Sequence, residues 1–349
     1  MNLYYAAFIP GLQNFIAEVV KERLTDAKIH RLLDGAVLFE TEISYDKLNF
    51  FCFNNIFAVI SIMEHSGSAN ALEKHICSFL DDGKKDSAAF EIISNNSKNI
   101  RSFRIVISRE NKPAAIDEKL RGETEKYISR LSGLRVNRSL PDTEFWFLFR
   151  REESAQGSNF SVFMKRLTIR PSWEKTLHKG ELPPPLAWTL CRLARLSHSD
   201  TVLDPFCGYG AIPEEATKHF HITKFIACDN DRGAAIFSAA RFKKRKTCGF
   251  IFHQTDFCEL PSFVAEKSID AIVTDPPWGH YREIKDNAFL VKMFEVFSKL
   301  LKDGGRAIVL YANDVVFLKA VPECFKLEES IPILLSGKKT AIIKLEMRN

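Results

Sequence analysis

The sequence predicts an α/β protein whose C-terminal half is a parallel sheet covered on both faces by helices, preceded by smaller α+β units. Three observations predict this. Beyond residue 200, short apolar runs alternate with stretches of helical periodicity, the pattern of repeated strand–helix–strand units. Two of those runs end in unusual motifs, V-L-D-P-F-C-G-Y-G (202–210) and A-I-V-T-D-P-P-W-G (271–279). The 349 residues exceed what one domain usually holds, and the front of the chain lacks the regular alternation of the back.

In chain order, Leu3–Ile9 reads as a strand. Gly11–Leu24 reads as a helix, because Leu12, Phe15, Ile16, Val19, Val20 and Leu24 share one face. Ile29–Glu40 is a hairpin about Asp34-Gly35, a strong turn dipeptide. Ser44–Phe51 is expected to be helical and Ile56–Met63 a strand. That order, strand–helix–strand twice, is ferredoxin-like and places a first domain at residues 1–80. A second unit, 81–170, contains strands at Phe103–Ser108, Glu144–Phe149 and Phe160–Met164 and a charged amphipathic helix at Ala115–Leu131. The proline-rich stretch 171–185 reads as a linker, followed by the sheet domain at 186–349. Within it, Thr201–Pro205, Lys224–Asp229, Gly249–Asp256, Ile269–Asp275 and Arg306–Tyr311 are strands. Ile212–Lys218, Arg232–Lys244 and Ala288–Leu301 are helices. Ser330–Leu335 and Thr340–Met347 form a closing antiparallel pair.

Composition narrows the function. The chain is 46% hydrophobic and 27% charged, ordinary for a globular protein, and no apolar run approaches a membrane span. The first residues lack a charged region followed by a signal-peptide core, so a cytoplasmic location and no membrane partner are expected. The eight cysteines include no C-x-x-C pair, and neither a metal site nor a disulfide framework is expected. Charge is unevenly spread: residues 1–97 carry 8 Lys/Arg against 13 Asp/Glu, and residues 98–170 carry 16 against 9. A basic middle suits a phosphate-bearing partner, although a solvated face has the same composition.

The chemistry concentrates at strand ends, where open parallel sheets bind ligands. Asp204, Asp229, Asp256 and Asp275 each close one strand. Singly, each reads equally well as a helix cap or turn former. In series they suit a ligand rich in hydroxyls and amines. Gly208-Tyr209-Gly210 lets backbone approach a ligand closely, and the helix that follows offers free N–H groups to an anion. The spacing is not G-x-G-x-x-G, which argues against a dinucleotide. In Asp275-Pro276-Pro277-Trp278 the prolines remove two N–H donors and leave an edge of acceptors. Such an edge can grip the hydrogens of an exocyclic amine and stabilise charge developing on its nitrogen, while an indole stacks on the base. The alternative is a proline-stiffened loop with a core tryptophan.

V-L-D-P-F-C-G-Y-G-A-I-P-E-E-A and T-D-P-P-W-G resemble the THUMP-containing RNA guanine-N2 methyltransferases, over nearly the whole chain. The resemblance implies a Rossmann-like class I methyltransferase domain preceded by ferredoxin-like and THUMP domains, S-adenosyl-L-methionine as cofactor, and tRNA as the RNA substrate, with the acceptor stem the first choice. It implies that Asp204, Pro205, Cys207, Gly208 and Gly210 line the methionine end of the cofactor, that Asp229 and Asn230 hold the ribose, and that Asp256 and Phe257 meet the adenine. Asp275, Pro276, Pro277 and Trp278 would grip the target amine, Asp275 also facing the cofactor. Lys165, Arg166 and Arg170, joined by Arg135 and Arg138, would contact RNA. The chain departs from the family pattern at Tyr209, where Ser or Thr is commoner, at Ala211, commonly Thr, and at Trp278, commonly Tyr. Methylation of adenine or cytosine, or RNA binding around a relic cofactor pocket, are the competing functions. An accessory protein is not legible in the residues.

Overall fold

A computed structural model describes residues 1–48, 50–67, 69–82, 87–96, 99–151, 159–168, 177–242, 249–277, 287–312 and 314–348. The chain divides into one unit of residues 1–8, 13–49 and 53–171 and another of 9–12, 50–52 and 172–349.

In the first unit, β1 (Asn2–Ala7), α1 (Gln13–Arg23), β2 (Lys28–Leu33), β3 (Ala36–Thr41) and β4 (Asn55–His65) follow the expected order. The helix expected at Ser44–Phe51 is instead a single 3-10 turn, Tyr45–Lys47. Ser44 makes no side-chain cap there, and Phe51 is drawn away to pack beside Trp188 and His219 of the second unit's own core, ring centroids 6.2 and 3.8 Å away. Tertiary packing overrides a short local preference.

The remainder comprises α2 (Ala71–Asp82), α3 (Ser87–Ser94), β5 (Ser102–Arg109), β6 (Lys112–Pro113), α4 (Glu118–Ser132), β7 (Arg135–Val136), β8 (Thr143–Arg150) and β9 (Asn159–Arg166). Asp117 starts α4 by accepting from the Leu120 N–H at 3.0 Å, and Gly133, at φ 70°, ends it. The strands form one sheet in the order β2-β3-β1-β4-β9-β8-β5-β6, with β7 beside β5. The β4–β9 ladder makes the two front segments continuous. The division at residue 80 falls within α2, whose Leu72, Ile76 and Phe79 pack with Phe103, Phe145, Phe147 and Phe163 behind it.

The second unit contains α5 (Pro184–Leu193), β10 (Thr201–Asp204), α6 (Ala211–His219), β11 (Lys224–Asp229), α7 (Arg232–Phe242), β12 (Gly249–Gln254), β13 (Ile269–Thr274), α8 (Asn287–Leu300), β14 (Leu301–Tyr311), α9 (Asp314–Ala320), β15 (Phe325–Leu335) and β16 (Lys338–Met347). Its sheet runs β12-β11-β10-β13-β14-β16-β15. The first five strands pair in parallel, and β16 enters antiparallel between β14 and β15. Val202, Leu203, Phe225, Ala227, Ile272 and Val273 are buried, as strands covered on both faces require. Pro184 and Pro185 open α5, where their missing N–H groups cost nothing. Strand order reverses between β10 and β13, a position that opens a crevice at the strand ends.

Candidate active site

A cavity of about 270 Å³ lies at that reversal. Asp204 from the end of β10, Asp229 from the end of β11 and Asp275 just after β13 all line it. Cys207 and Gly208 of the Gly-rich bend complete the predicted wall. The strap 179–182, Phe206, Tyr209, Ala211, Ile212, Asp231 and Ala234 complete the rest.

Asp204 is 1% exposed. Its Oδ1 accepts from Thr274 Oγ1 at 2.7 Å and from the Phe206 N–H at 3.1 Å. Its buried Oδ2 has no hydrogen-bond partner among the described residues. Burial pushes the carboxyl up to about 8, and the charges of Asp229 and Asp275 act in the same direction. Asp229 organises the bend: its carboxylate accepts from the Gly208 N–H and from the Asp231 N–H, each at 2.8 Å. Burial raises its pKa and those N–H groups oppose the rise.

The two glycines of the bend differ. Gly210 has φ 88°, and a Cβ there would meet Ser238 Oγ at 2.9 Å and the Phe242 ring at 3.0 Å. Gly208 has φ 50°, yet a Cβ would meet no atom of the described residues within 4 Å. Its bare Cα therefore borders the open cavity. Gly210 precedes α6 without a side-chain cap, which leaves the first N–H groups of that helix available to an anion.

Other expected residues stand elsewhere. Pro205 is buried and Asn230 exposed beside their strand ends; neither lines the cavity, and nor do Pro276 and Pro277. Asp256 does not reach it either: its side chain caps a 3-10 turn, Phe257–Ser262, accepting from the Cys258 N–H at 2.9 Å. Phe257 packs between Phe206 and Phe289, with centroids 4.9 and 5.5 Å away. Trp278 and Arg170 lie outside the described residues.

The basic residues divide into a buried pair and an exposed pair. Lys165 is 3% exposed, and its ammonium donates to the Ile92 and Asn95 carbonyls at 2.9 and 2.6 Å, closing the end of α3. Burial pulls its pKa down to about 8. Arg166 is also buried, paired with Glu144 at 3.2 Å and hydrogen-bonded to Asn55. Both serve the sheet, not a surface. Arg138 is exposed but forks onto Glu125 at 2.9 and 2.8 Å and reaches Glu118. Arg135 is exposed beside Arg101, whose carbonyl accepts its N–H at 3.1 Å.

Residues 179–182, expected within the linker 171–185, instead form one wall of the cavity. Glu181 accepts from the His178 N–H at 3.1 Å and pairs with Arg241 at 2.9 Å. No local signal marks that pairing, because the partners are sixty residues apart.

Residues 171–330 match the family described as UPF0020, RMKL-like, methyltransferase domain. A tRNA (guanine(10)-N2)-dimethyltransferase of Methanocaldococcus jannaschii is 31% identical over 151 residues, 42% of this chain and 42% of that protein. A tRNA (guanine(6)-N2)-methyltransferase of Thermus thermophilus is 28% identical over 260 residues, 70% of this chain and 72% of that one. The match thus spans less than half of the archaeal relative. The crystal structure of TrmN from Thermus thermophilus superposes with a TM-score of 0.78 at 21% identity, covering 99% of this chain and all of that one, so the fold is shared from end to end. The chain thus carries a domain that matches the UPF0020, RMKL-like methyltransferase model over residues 171–330, is similar in sequence to tRNA guanine-N2 methyltransferases, and shares the fold of TrmN.

Proposed function

We propose that this protein transfers a methyl group from S-adenosyl-L-methionine to the N2 amine of a guanine in structured RNA, with tRNA as the substrate. The observation that carries the reading is the convergence of Asp204, Asp229 and Asp275 on one cavity beside Gly208. The cofactor supplies an electrophilic methyl on a sulfonium centre. An acid-lined pocket suits such a cation. The orphaned Oδ2 of Asp204 suits a donor group of the ligand, and Gly208 leaves room for it. Asp229, once it has accepted the two backbone N–H groups, retains lone pairs for ribose hydroxyls. Asp275, which lines the cavity, would hold the amine hydrogens and orient the nitrogen toward the methyl, with the N–H-free backbone of Pro276 and Pro277 following it outside the lining. The base is rotated out of its stack to arrive there, at a cost of about a few kcal/mol.

The part of the front unit that follows β4 is read as the THUMP unit that holds RNA, after a ferredoxin-like segment and before the catalytic domain, whose cavity wall already includes residues 179–182 and whose α5 begins at Pro184. With Lys165 and Arg166 turned inward, phosphate contact falls to Arg101 and Arg135 and their exposed neighbours. None of the described helices is long and apolar enough to cross a membrane, and a tRNA substrate suits a reaction in the cytoplasm. Purified protein incubated with unmodified tRNA transcripts and labelled cofactor, followed by nucleoside analysis, tests this reading. N2-methylguanosine is expected; methylated adenine or cytosine, or no label, overturns it.

A further inference from the structure

One cation holds three walls of the cavity together. Arg241 lies in the last turn of α7. Its Nη1 donates to Glu181 Oε1 at 2.9 Å and to the Tyr209 carbonyl at 3.1 Å, and its Nε pairs with Glu214 Oε2 at 2.8 Å. Glu181 belongs to the strap, Tyr209 to the Gly-rich bend and Glu214 to the first turn of α6. The side chains of Glu181 and Glu214 are only 6% and 14% exposed. The guanidinium therefore pairs with two sheltered carboxylates from different elements, and removing one partner of such buried pairs is costly. A second contact seals the same seam: the His178 ring stacks on Tyr209 at 4.1 Å and 10°, with Phe237 edge-on to His178 at 4.7 Å. Arg241 itself does not line the cavity.

The geometry points to Arg241 as the positioning residue that fixes the strap against the Gly-rich bend and so sets the shape of the methyl-donor pocket. This rests on reading that pocket as the donor site. Arg241 acts on binding through Glu181 and Tyr209, so cofactor affinity, not the chemical step, depends on it. A lysine would not replace it, because a point charge lacks the planar fork that donates to Glu181 and the Tyr209 carbonyl while pairing with Glu214.

The test is calorimetric titration of the full chain with S-adenosylhomocysteine, alongside steady-state kinetics. Arg241→Met, which keeps the stem and removes the fork, is expected to raise Kd and the cofactor KM by about tenfold. Its kcat at saturating cofactor should stay within about twofold of the parent. Glu181→Gln should weaken binding in the same direction. The double variant should cost no more than the larger single change, as members of one network do. A folded Arg241→Met protein that binds as the parent does overturns the positioning role, and so do fully additive single effects. Should Arg241→Met fail to fold, Glu181→Gln with unaltered Kd overturns it instead. A parent chain giving no heat with S-adenosylhomocysteine overturns the donor-site reading and this role together; a binding parent beside an equally binding variant overturns this role alone.

Discussion

Thr274 Oγ1 donates to Asp204 Oδ1 at 2.7 Å, tying together the two strands between which the sheet reverses. Both residues are inaccessible to solvent or nearly so, so the bond is a fixed part of the cavity floor. Replacing Thr274 by the isosteric valine removes the donor and leaves Asp204 Oδ1 with only the Phe206 N–H. A loss of about 1–3 kcal/mol is expected, measured as a lower midpoint in urea at unchanged slope.

The Asp204 carboxyl gives the fold a pH dependence. Its pKa is raised from 3.8 to about 8 on folding, so between those values the native state binds a proton that the unfolded chain has released. Its contribution to stability is therefore complete below the unfolded value and is lost as pH rises through about 8. Asp204→Asn removes this titration. Denaturation midpoints of the cofactor-free protein across that window should fall more steeply for the parent than for the variant; parallel profiles would refute the assignment.

Alanine at the two glycines should separate folding from binding. Gly210→Ala drives a Cβ into Ser238 and Phe242 at φ 88°, and is expected to cost about 1–3 kcal/mol in thermal unfolding without ligand. Gly208→Ala meets no atom of the described residues within 4 Å. It should cost the fold about 1 kcal/mol for its left-handed backbone, while weakening S-adenosylhomocysteine binding by about tenfold or more.

Asp275 lines the cavity with its own strand's end. Asp275→Ala should lower kcat by about 10²–10³ with cofactor affinity nearly intact. Rapid-quench measurement of a single turnover isolates the methyl-transfer step; an unchanged rate would remove the amine clamp from the mechanism.

Lys165 offers the sharpest contrast between composition and structure. As a phosphate contact it would contribute about one to the slope of log affinity against log salt. Buried against the Ile92 and Asn95 carbonyls, it should contribute nothing to that slope. Lys165→Met should instead lower the thermal stability of the front unit, while Arg135→Ala reduces the salt slope of tRNA binding.

The parallel sheet was legible because its central strands β10, β11 and β13 are largely apolar runs, which the fold buries on both faces, whereas the edge strand β12 is only partly covered. Asp204, Asp229, Asp275 and Gly208 were legible because strand ends and a Gly-rich bend place them regardless of distant contacts. Asp256 carried the same pattern but met a local competitor, the 3-10 turn it caps. Lys165 and Arg166 ended a strand in basic residues and so resembled surface; their partners, two helix-end carbonyls and Glu144, lie on other elements and leave no trace beside them in sequence. The strap escaped for the same reason, since Glu181 finds its counter-charge in α7. The helix α2 carries Leu72, Ile76 and Phe79 on one face, a signal obscured by the polar stretch around it.

The pairing of β4 with β9 joins residues 55–65 to 159–166, about a hundred positions later. On a ribosome adding about 5–20 residues per second, β4 waits about 5–20 seconds for the strand that covers it. Throughout that interval the nascent protein displays a long apolar edge with unmet hydrogen bonds, so its yield in cells should depend on chaperone supply and translation speed more than on the stability of the finished molecule.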